Sequence, residues 1–240
     1  MAAETTQGIV LSAVKYGDKG VVVNVLTREN GRRAFMASVG GGKGKGGGMA
    51  MLTPLSLIEF VSTGVRKTAM QRMSQTRFRR PPIRMWTDPV RRAVAMFVAE
   101  LMVRSVPEEV PDEDLFDFAD MAIGRLDDEI GGAYNFHLWF MMQLAAYLGI
   151  GPDAGRHGAR IFDMEAGTWE SSMPVHPNIL TMRDADLWEE LQNTGVETLE
   201  SVRMTRAERQ RMIEAMSQYY RLHLPGFTGL KSQAILAMLN

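Results

Sequence analysis

Residues Gly20 to Thr27 read GVVVNVLT, Asn30-Gly31 follows, and Arg32 to Val39 continues as RRAFMASV. The β-branched residues of the first run suit a pleated, half-buried surface. Asn30-Gly31 tolerates positive φ at both turn positions, so the two runs predict a β-hairpin. Outward from this hairpin, Gly8 to Val14 (GIVLSAV) predicts an earlier strand, joined to it by the turn Tyr16-Gly17-Asp18-Lys19-Gly20. Thr53 to Val61 (TPLSLIEFV) predicts a fourth strand and Val65 to Gln75 (VRKTAMQRMSQ) a fifth. Five short strands without an intervening helix predict a small closed barrel, for which the five-stranded OB-fold is the leading candidate.

From Pro89 the pattern becomes helical. Val90, Val94, Phe97, Val98, Leu101 and Met102 follow a 3.6-residue period. Pro107 and Pro111 frame a connection, and Asp112 is placed to cap a second helix carrying Leu115, Ala119, Ala122 and Leu126. A third helix holds Phe136, Phe140, Leu144, Tyr147 and Leu148 and stops at Gly149. Thr205-Arg206-Ala207-Glu208 spells a capping box ahead of Met212, Ile213, Met216 and Tyr220, and a short helix is expected over Leu230 to Leu239. Arg160 to Glu170 (RIFDMEAGTWE) reads as a hairpin inserted among the helices. The expected class is therefore α+β in two domains. A five-stranded OB-fold β-barrel occupies 1–84, and a C-terminal α-helical domain occupies 85–240 with a hairpin insertion at about 153–174.

Charge divides the chain at the same place. Met1 to Arg84 holds 14 Lys and Arg against 4 Asp and Glu, whereas Met85 to Asn240 holds 13 against 24. A basic barrel collects phosphates by Coulomb attraction and counterion release, so a polyanion is the expected partner. The candidate nucleic-acid contacts are Lys15, Lys19, Arg32, Arg33, Lys43, Lys45, Arg66, Lys67, Arg72, Arg77, Arg79, Arg80 and Arg84. Phe78 and Tyr16 are candidates to stack on an unpaired base; for Phe78 the alternative is packing where barrel meets helices. The run Gly40 to Gly48 (GGGKGKGGG) matches a dinucleotide fingerprint by spelling alone, because a strand rather than a helix is expected after it. It reads either as a loop with Lys43 and Lys45 as phosphate contacts or as a plain connector.

Catalytic patterns do not emerge, and the expectation is a non-enzyme. His137, His157, His176 and His223 are widely spread, with no pair at helical ligand spacing, and no serine lies in a G-x-S-x-G elbow. The chain has no cysteine, which excludes disulfides and thiolate metal sites. The acidic runs Asp112-Glu113-Asp114 and Asp127-Asp128-Glu129 sit at predicted helix ends, where capping accounts for them better than a nuclease metal site does. No cofactor or metal is expected. No apolar run is long enough to span a membrane and no leader pattern opens the chain, so a cytoplasmic location is expected.

Two segments resemble the bacterial recombination mediator family RecO. Gly8 to Ala37 is similar to the opening strands of that family, with a T-x-x-x-G-R element at Thr27 to Arg32. Leu138 to Pro152 (LWFMMQLAAYLGIGP) and Tyr219 to Ser232 (YYRLHLPGFTGLKS) resemble its helical signatures. The resemblance implies an OB-fold followed by a helical domain, a cytoplasmic, nucleoid-associated protein, and a role in recombinational DNA repair. It implies binding of single- and double-stranded DNA, annealing of complementary strands, and work with RecR to load RecA onto strands coated by single-strand-binding protein. Some members carry a four-cysteine zinc site after the Leu-Gly-x-x-Pro element; here Asp153 to Pro174 has no cysteine, so zinc is not carried over and packing through Phe162 and Trp169 is expected instead. A site for the acidic C-terminal tail of single-strand-binding protein is expected at Tyr220, Arg221, His223, Leu224, Phe227 and Lys231. The alternative is that these aromatics and leucines merely close the core. A second functional reading, an OB-fold interaction module binding RNA or an acidic protein, also stands.

Overall fold

A computed structural model describes residues 4–18, 20–38, 48–63, 70–128 and 131–239. Compactness divides the chain into Met1–Asp127 and Asp128–Asn240, later than the change of composition after Arg84.

In the first unit five strands close into a barrel in the order β1-β2-β3-β5-β4. They are β1 (Glu4–Tyr16), β2 (Gly20–Thr27), β3 (Gly31–Ser38), β4 (Leu57–Thr63) and β5 (Gln71–Arg80). All pairings are antiparallel except β3 with β5, which joins Phe35 to Gln71 and Met36 to Arg72 in parallel. This is the OB-fold order. β1 serves two partners: Glu4 to Ile9 pair with β4, and Gly8 to Tyr16 pair with β2. A bulge between Val10 and Ser12 turns the strand from one to the other. The interior is filled by Val10, Val23, Val25, Phe35, Ile58 and Phe60, with the two phenylalanine rings edge to face at 4.9 Å.

The last two strands end later in the chain than their patterning predicts. Met49–Leu52 forms one 3-10 turn, and the Thr53 hydroxyl donates to the Ala50 carbonyl. Buried Leu55 then takes φ 61°, so pairing starts only at Leu57. β5 is described from Gln71 and runs on to Arg80, past the predicted end at Gln75; the predicted start at 65–69 lies outside the described residues. Irregularities at Leu57/Ile58 and Glu59/Val61 accompany Gln75 at φ 51°. Arg77, Phe78, Arg79 and Arg80 are therefore part of the closing strand and not a tail behind it.

Three helices complete this unit: α1 (Arg84–Thr87), α2 (Pro89–Ser105) and α3 (Glu113–Asp127). The buried Asp127 carboxylate accepts from the amides of Ile83 (3.0 Å) and Met85 (2.9 Å), which fixes α1 against the end of α3. Asp88 caps α2 through the Val90 amide, with Pro89 at the first position. Asp112 caps α3 through the Leu115 amide at 2.9 Å.

The second unit contains α4 (Phe136–Tyr147), a three-stranded sheet of β6 (Ile161–Asp163), β7 (Thr168–Glu170) and β8 (Ile179–Thr181), then α5 (Met182–Asn193), α6 (Arg206–His223) and α7 (Gln233–Leu239). The sheet order is β7-β6-β8. The hairpin was expected; its third strand and α5 were not. α4 is apolar around almost its whole circumference and is buried accordingly. α6 opens with the expected capping box between Thr205 and Glu208. The cysteine-free insertion is held by stacked rings. Phe162 lies 5.2 Å from Trp169 and 4.8 Å from Trp188. Arg156 stands over Trp169 at 5.1 Å while donating to Asp186 and Glu189. Among the described residues no cluster of three metal-ligating side chains occurs, and no described helix is long and apolar enough to cross a membrane.

His137 lies fully inside this unit, and burial, helped by the nearby positive charge of Arg209, lowers its pKa to about 3. An unfolded chain protonates the same imidazole near 6.5. Unfolding therefore takes up a proton throughout that interval, and stability falls as the pH drops through it. Urea unfolding from pH 7 to pH 4 should show this loss beginning above the carboxylate range. In His137→Gln the curve should stay flat until below pH 5; an unchanged slope in the variant would contradict the assignment.

Candidate nucleic-acid interface

Strand register lines up one row of residues around the barrel: Val14, Val22, Met36, Arg72 and Thr63. Side chains directly opposite one another across neighbouring strands share a face of the sheet. Val14 is 64% exposed, Arg72 is exposed, and Val22 and Met36 are half-buried between them. The adjacent row starts at Tyr16, 65% exposed, and runs through Gly20 to Ser38. The outcome is an apolar floor with a tyrosine at one side and a guanidinium at the other. Such a surface can stack a base and hold its phosphate. Lys15 is exposed at the same end, beside the β1–β2 turn. Lys19, Lys43, Lys45, Arg66 and Lys67 lie outside the described residues.

The other end of the barrel carries the remaining expected contacts, and there the arginines are engaged within the unit. Arg32 pairs with Glu108 at 3.0 Å and donates from Nε to the Val106 carbonyl at 2.8 Å. Arg33 pairs with Glu109 at 3.0 Å, and Arg79 with Asp120 at 2.6 Å. Arg28, which charge alone did not single out, is gripped by Asp117 and by Glu113 at 3.2 Å. The guanidinium of Arg80 lies against Gly124 of α3. Arg77 pairs with Glu59 but stays 74% exposed. Arg84 is exposed on α1. Phe78 packs on the barrel core and meets Trp86 edge to face at 5.7 Å, so its ring is committed to packing. One signal for this was available: Glu113, Asp117 and Asp120 recur at helical spacing opposite the apolar stripe of α3. Counted to Asp127, the first unit holds 18 Lys and Arg against 14 Asp and Glu, a net of +4 in place of the +10 of residues 1–84.

The expected peptide site in the second unit is largely core. Tyr220 is buried, and its hydroxyl donates to the Met141 carbonyl at 2.8 Å. That burial raises its pKa well above the ordinary tyrosine value. Phe227 is buried against the Tyr220 ring at 5.2 Å. His223 Nε2 sits 2.8 Å from the Met164 carbonyl, with its ring 4.2 Å from that of Tyr219. Leu224 is half-buried, Arg221 donates to Gln218, and Lys231 is exposed. The two aromatic rings thus close the core, and neither lines an open groove.

A closed five-stranded barrel in this strand order, followed by a helical region with a small sheet insertion, defines an OB-fold protein, a class whose barrels bind oligonucleotides or oligosaccharides. The family models described as "Recombination protein O N terminal" and "Recombination protein O C terminal" match residues 1–82 and 87–234. The chain is 34% identical over 238 residues to the DNA repair protein RecO of Phocaeicola vulgatus, covering 98% of each chain. It is 33% identical to the RecO of Bacteroides fragilis and 28% to that of Porphyromonas gingivalis, again over 98% of each chain. This chain belongs to the RecO family.

The docking of residues 108–110 on the β2–β3 turn depends on Gly31. Its φ is 66°, and a Cβ there would collide with the backbone of Val110. Gly17 has φ 62° but open space around it. Gly17→Ala should cost about 1–2 kcal/mol through backbone strain alone. Gly31→Ala should cost at least about 3 kcal/mol, because backbone must also move. Denaturant midpoints check this, and equal losses would mean that the 108–110 contact is loose.

Proposed function

We propose that this chain is a DNA repair protein acting as a recombination mediator. In this reading it binds single- and double-stranded DNA, anneals complementary strands, and with RecR helps load RecA onto strands coated by single-strand-binding protein. It works in the bacterial cytoplasm at the nucleoid and turns over no cofactor. The observation that carries the reading is the match of both family models along the chain, joined to a barrel face with Tyr16 and Arg72 exposed on an apolar floor. Tyr16 is assigned to base stacking, and Arg72, with Lys15, to phosphate contact. The tail of single-strand-binding protein is assigned to the second unit, with Arg221 and Lys231 as exposed cations of that region and Tyr220 and Phe227 as supports beneath.

A short DNA-annealing assay separates this reading from a module that binds RNA or an acidic protein, since the module would not accelerate pairing. Within the binding site the two kinds of contact have different signatures. Arg72→Ala should flatten the slope of log K against log salt on single strands by about 0.7. Tyr16→Ala should weaken binding by about 1–3 kcal/mol while leaving the slope in place. Unchanged binding in both variants would move the interface off this face.

A further inference from the structure

Arg28, Arg32 and Arg33 fall within six residues at the β2–β3 end of the barrel. Each meets a carboxylate of the chain between α2 and α3 or of the first turns of α3. The exposures are lopsided. The arginine side chains keep 12–32% of their surface, while Glu108, Glu109, Glu113 and Asp117 keep 54–68%. The carboxylates therefore form the outer, solvent-facing layer, and the guanidiniums lie beneath them. Arg28 presents two nitrogens to the two oxygens of Asp117, the fork geometry with which arginine also grips a phosphate. Arg32 is held in place independently of its acid by the Val106 carbonyl. Its guanidinium would stay aimed outward if Glu108 left.

We propose that Arg28, Arg32 and Arg33 form a second, covered phosphate-binding site for nucleic acid, occupied in this structure by the carboxylates of residues 108–117 in place of phosphates. This rests on the DNA-binding reading above and extends it to the opposite end of the barrel. The acids keep 54–68% of their surface in water, which screens their attraction to the guanidiniums, so a phosphate can compete with them, more easily at Glu108 and Glu109 than at the forked Asp117. A strand of phosphates brings many charges at once and gains from counterion release, which an internal carboxylate does not. The main chain would not need to leave: the Glu109 amide bonds the Arg32 carbonyl at 3.0 Å, and only the acidic side chains would have to swing aside. The covered end limits affinity for a single strand bound on the Tyr16 and Arg72 face, and offers a place for further phosphates once the acids yield.

The test is neutralisation of the covering layer in the full chain: Glu108→Gln, Glu109→Gln, Glu113→Gln and Asp117→Asn together. Binding of a dT oligonucleotide should tighten, and the salt slope should steepen by up to about 2 as three arginines gain phosphates. The triple variant Arg28→Ala, Arg32→Ala, Arg33→Ala should flatten the slope less in the wild-type background than in the neutralised protein, because in the wild type the acids compete with phosphate for those groups. Adding it to the neutralised protein should abolish the gain. No gain with helix content intact would overturn the proposal, as would a gain that survives removal of the arginines, since that reflects net charge alone. If the fourfold variant fails to fold, Glu113→Gln with Asp117→Asn frees Arg28 alone and should steepen the slope by about 0.7; an unchanged slope there overturns it equally. A wild type that binds nothing beside a neutralised variant that binds would sink only the outer-face assignment. If neither binds, both readings fall.

Discussion

The pairing of barrel arginines with the acids of residues 108–120 sets the electrostatics of the first unit. Without it, residues 1–84 would be a strongly positive barrel open on all sides. With it, Arg28, Arg32, Arg33 and Arg79 are satisfied internally, while Arg72 and Lys15 on the far rows, and Arg77 and Arg84, stay exposed. The pairs themselves are weak fasteners. The holding force lies in α2 packing on β1, in the Asp127 carboxylate that bonds the amides of α1, and in the close seat of Val110 on Gly31. Charge chooses the face, and backbone and apolar contact fix it.

The second unit solves a different problem. Its insertion carries β-strands of only three residues each, too short to be stable by pairing alone. Here Phe162, Trp169, Trp188 and Tyr219 pack into a continuous aromatic cluster, Phe162 stacked on Trp188 and edge to face with Trp169. Arg156 clamps its edge, and His176 bridges Asp163 and Glu165 at 3.2 and 3.4 Å. Burial alone would push the Asp163 carboxyl up. Hydrogen bonds from the Ala166 and Glu165 amides and from His176 outweigh it and hold the group below its ordinary range. Ionisation of Asp163 is thus favoured inside the fold.

Local signals were read well where local chemistry decides the structure. The hairpin, the Asp112 cap and the Thr205-Glu208 capping box are each specified within a few residues and form where expected, although the hairpin turn is Arg28-Glu29-Asn30 and only Gly31 takes positive φ. The closing strand runs past its predicted end at Gln75 because Arg77, Phe78 and Arg80 pair with Glu59, Ile58 and Leu57 of β4, a pairing that its own polar sequence does not announce. The internal pairing of the barrel arginines was hidden for the same reason. Tyr16 and Arg72 could be named from composition, but partners 74 to 89 residues away for Arg28, Arg32 and Arg33 cannot be seen in a charge count. α5 escaped because its buried face is short, with Trp188 as its anchor.

The central claim is that the basic residues of the barrel are sorted into an engaged end and an available face. Chemical modification of arginine by a dicarbonyl reagent, read residue by residue by mass spectrometry with and without a short single-stranded oligonucleotide, tests it directly. The account expects Arg72 to react quickly in the free protein and to be protected by the oligonucleotide, while Arg28, Arg32 and Arg33 react slowly in both. Arg32 and Arg33 reacting as fast as Arg72 in the free protein, or Arg72 gaining no protection when the oligonucleotide is bound, would contradict it.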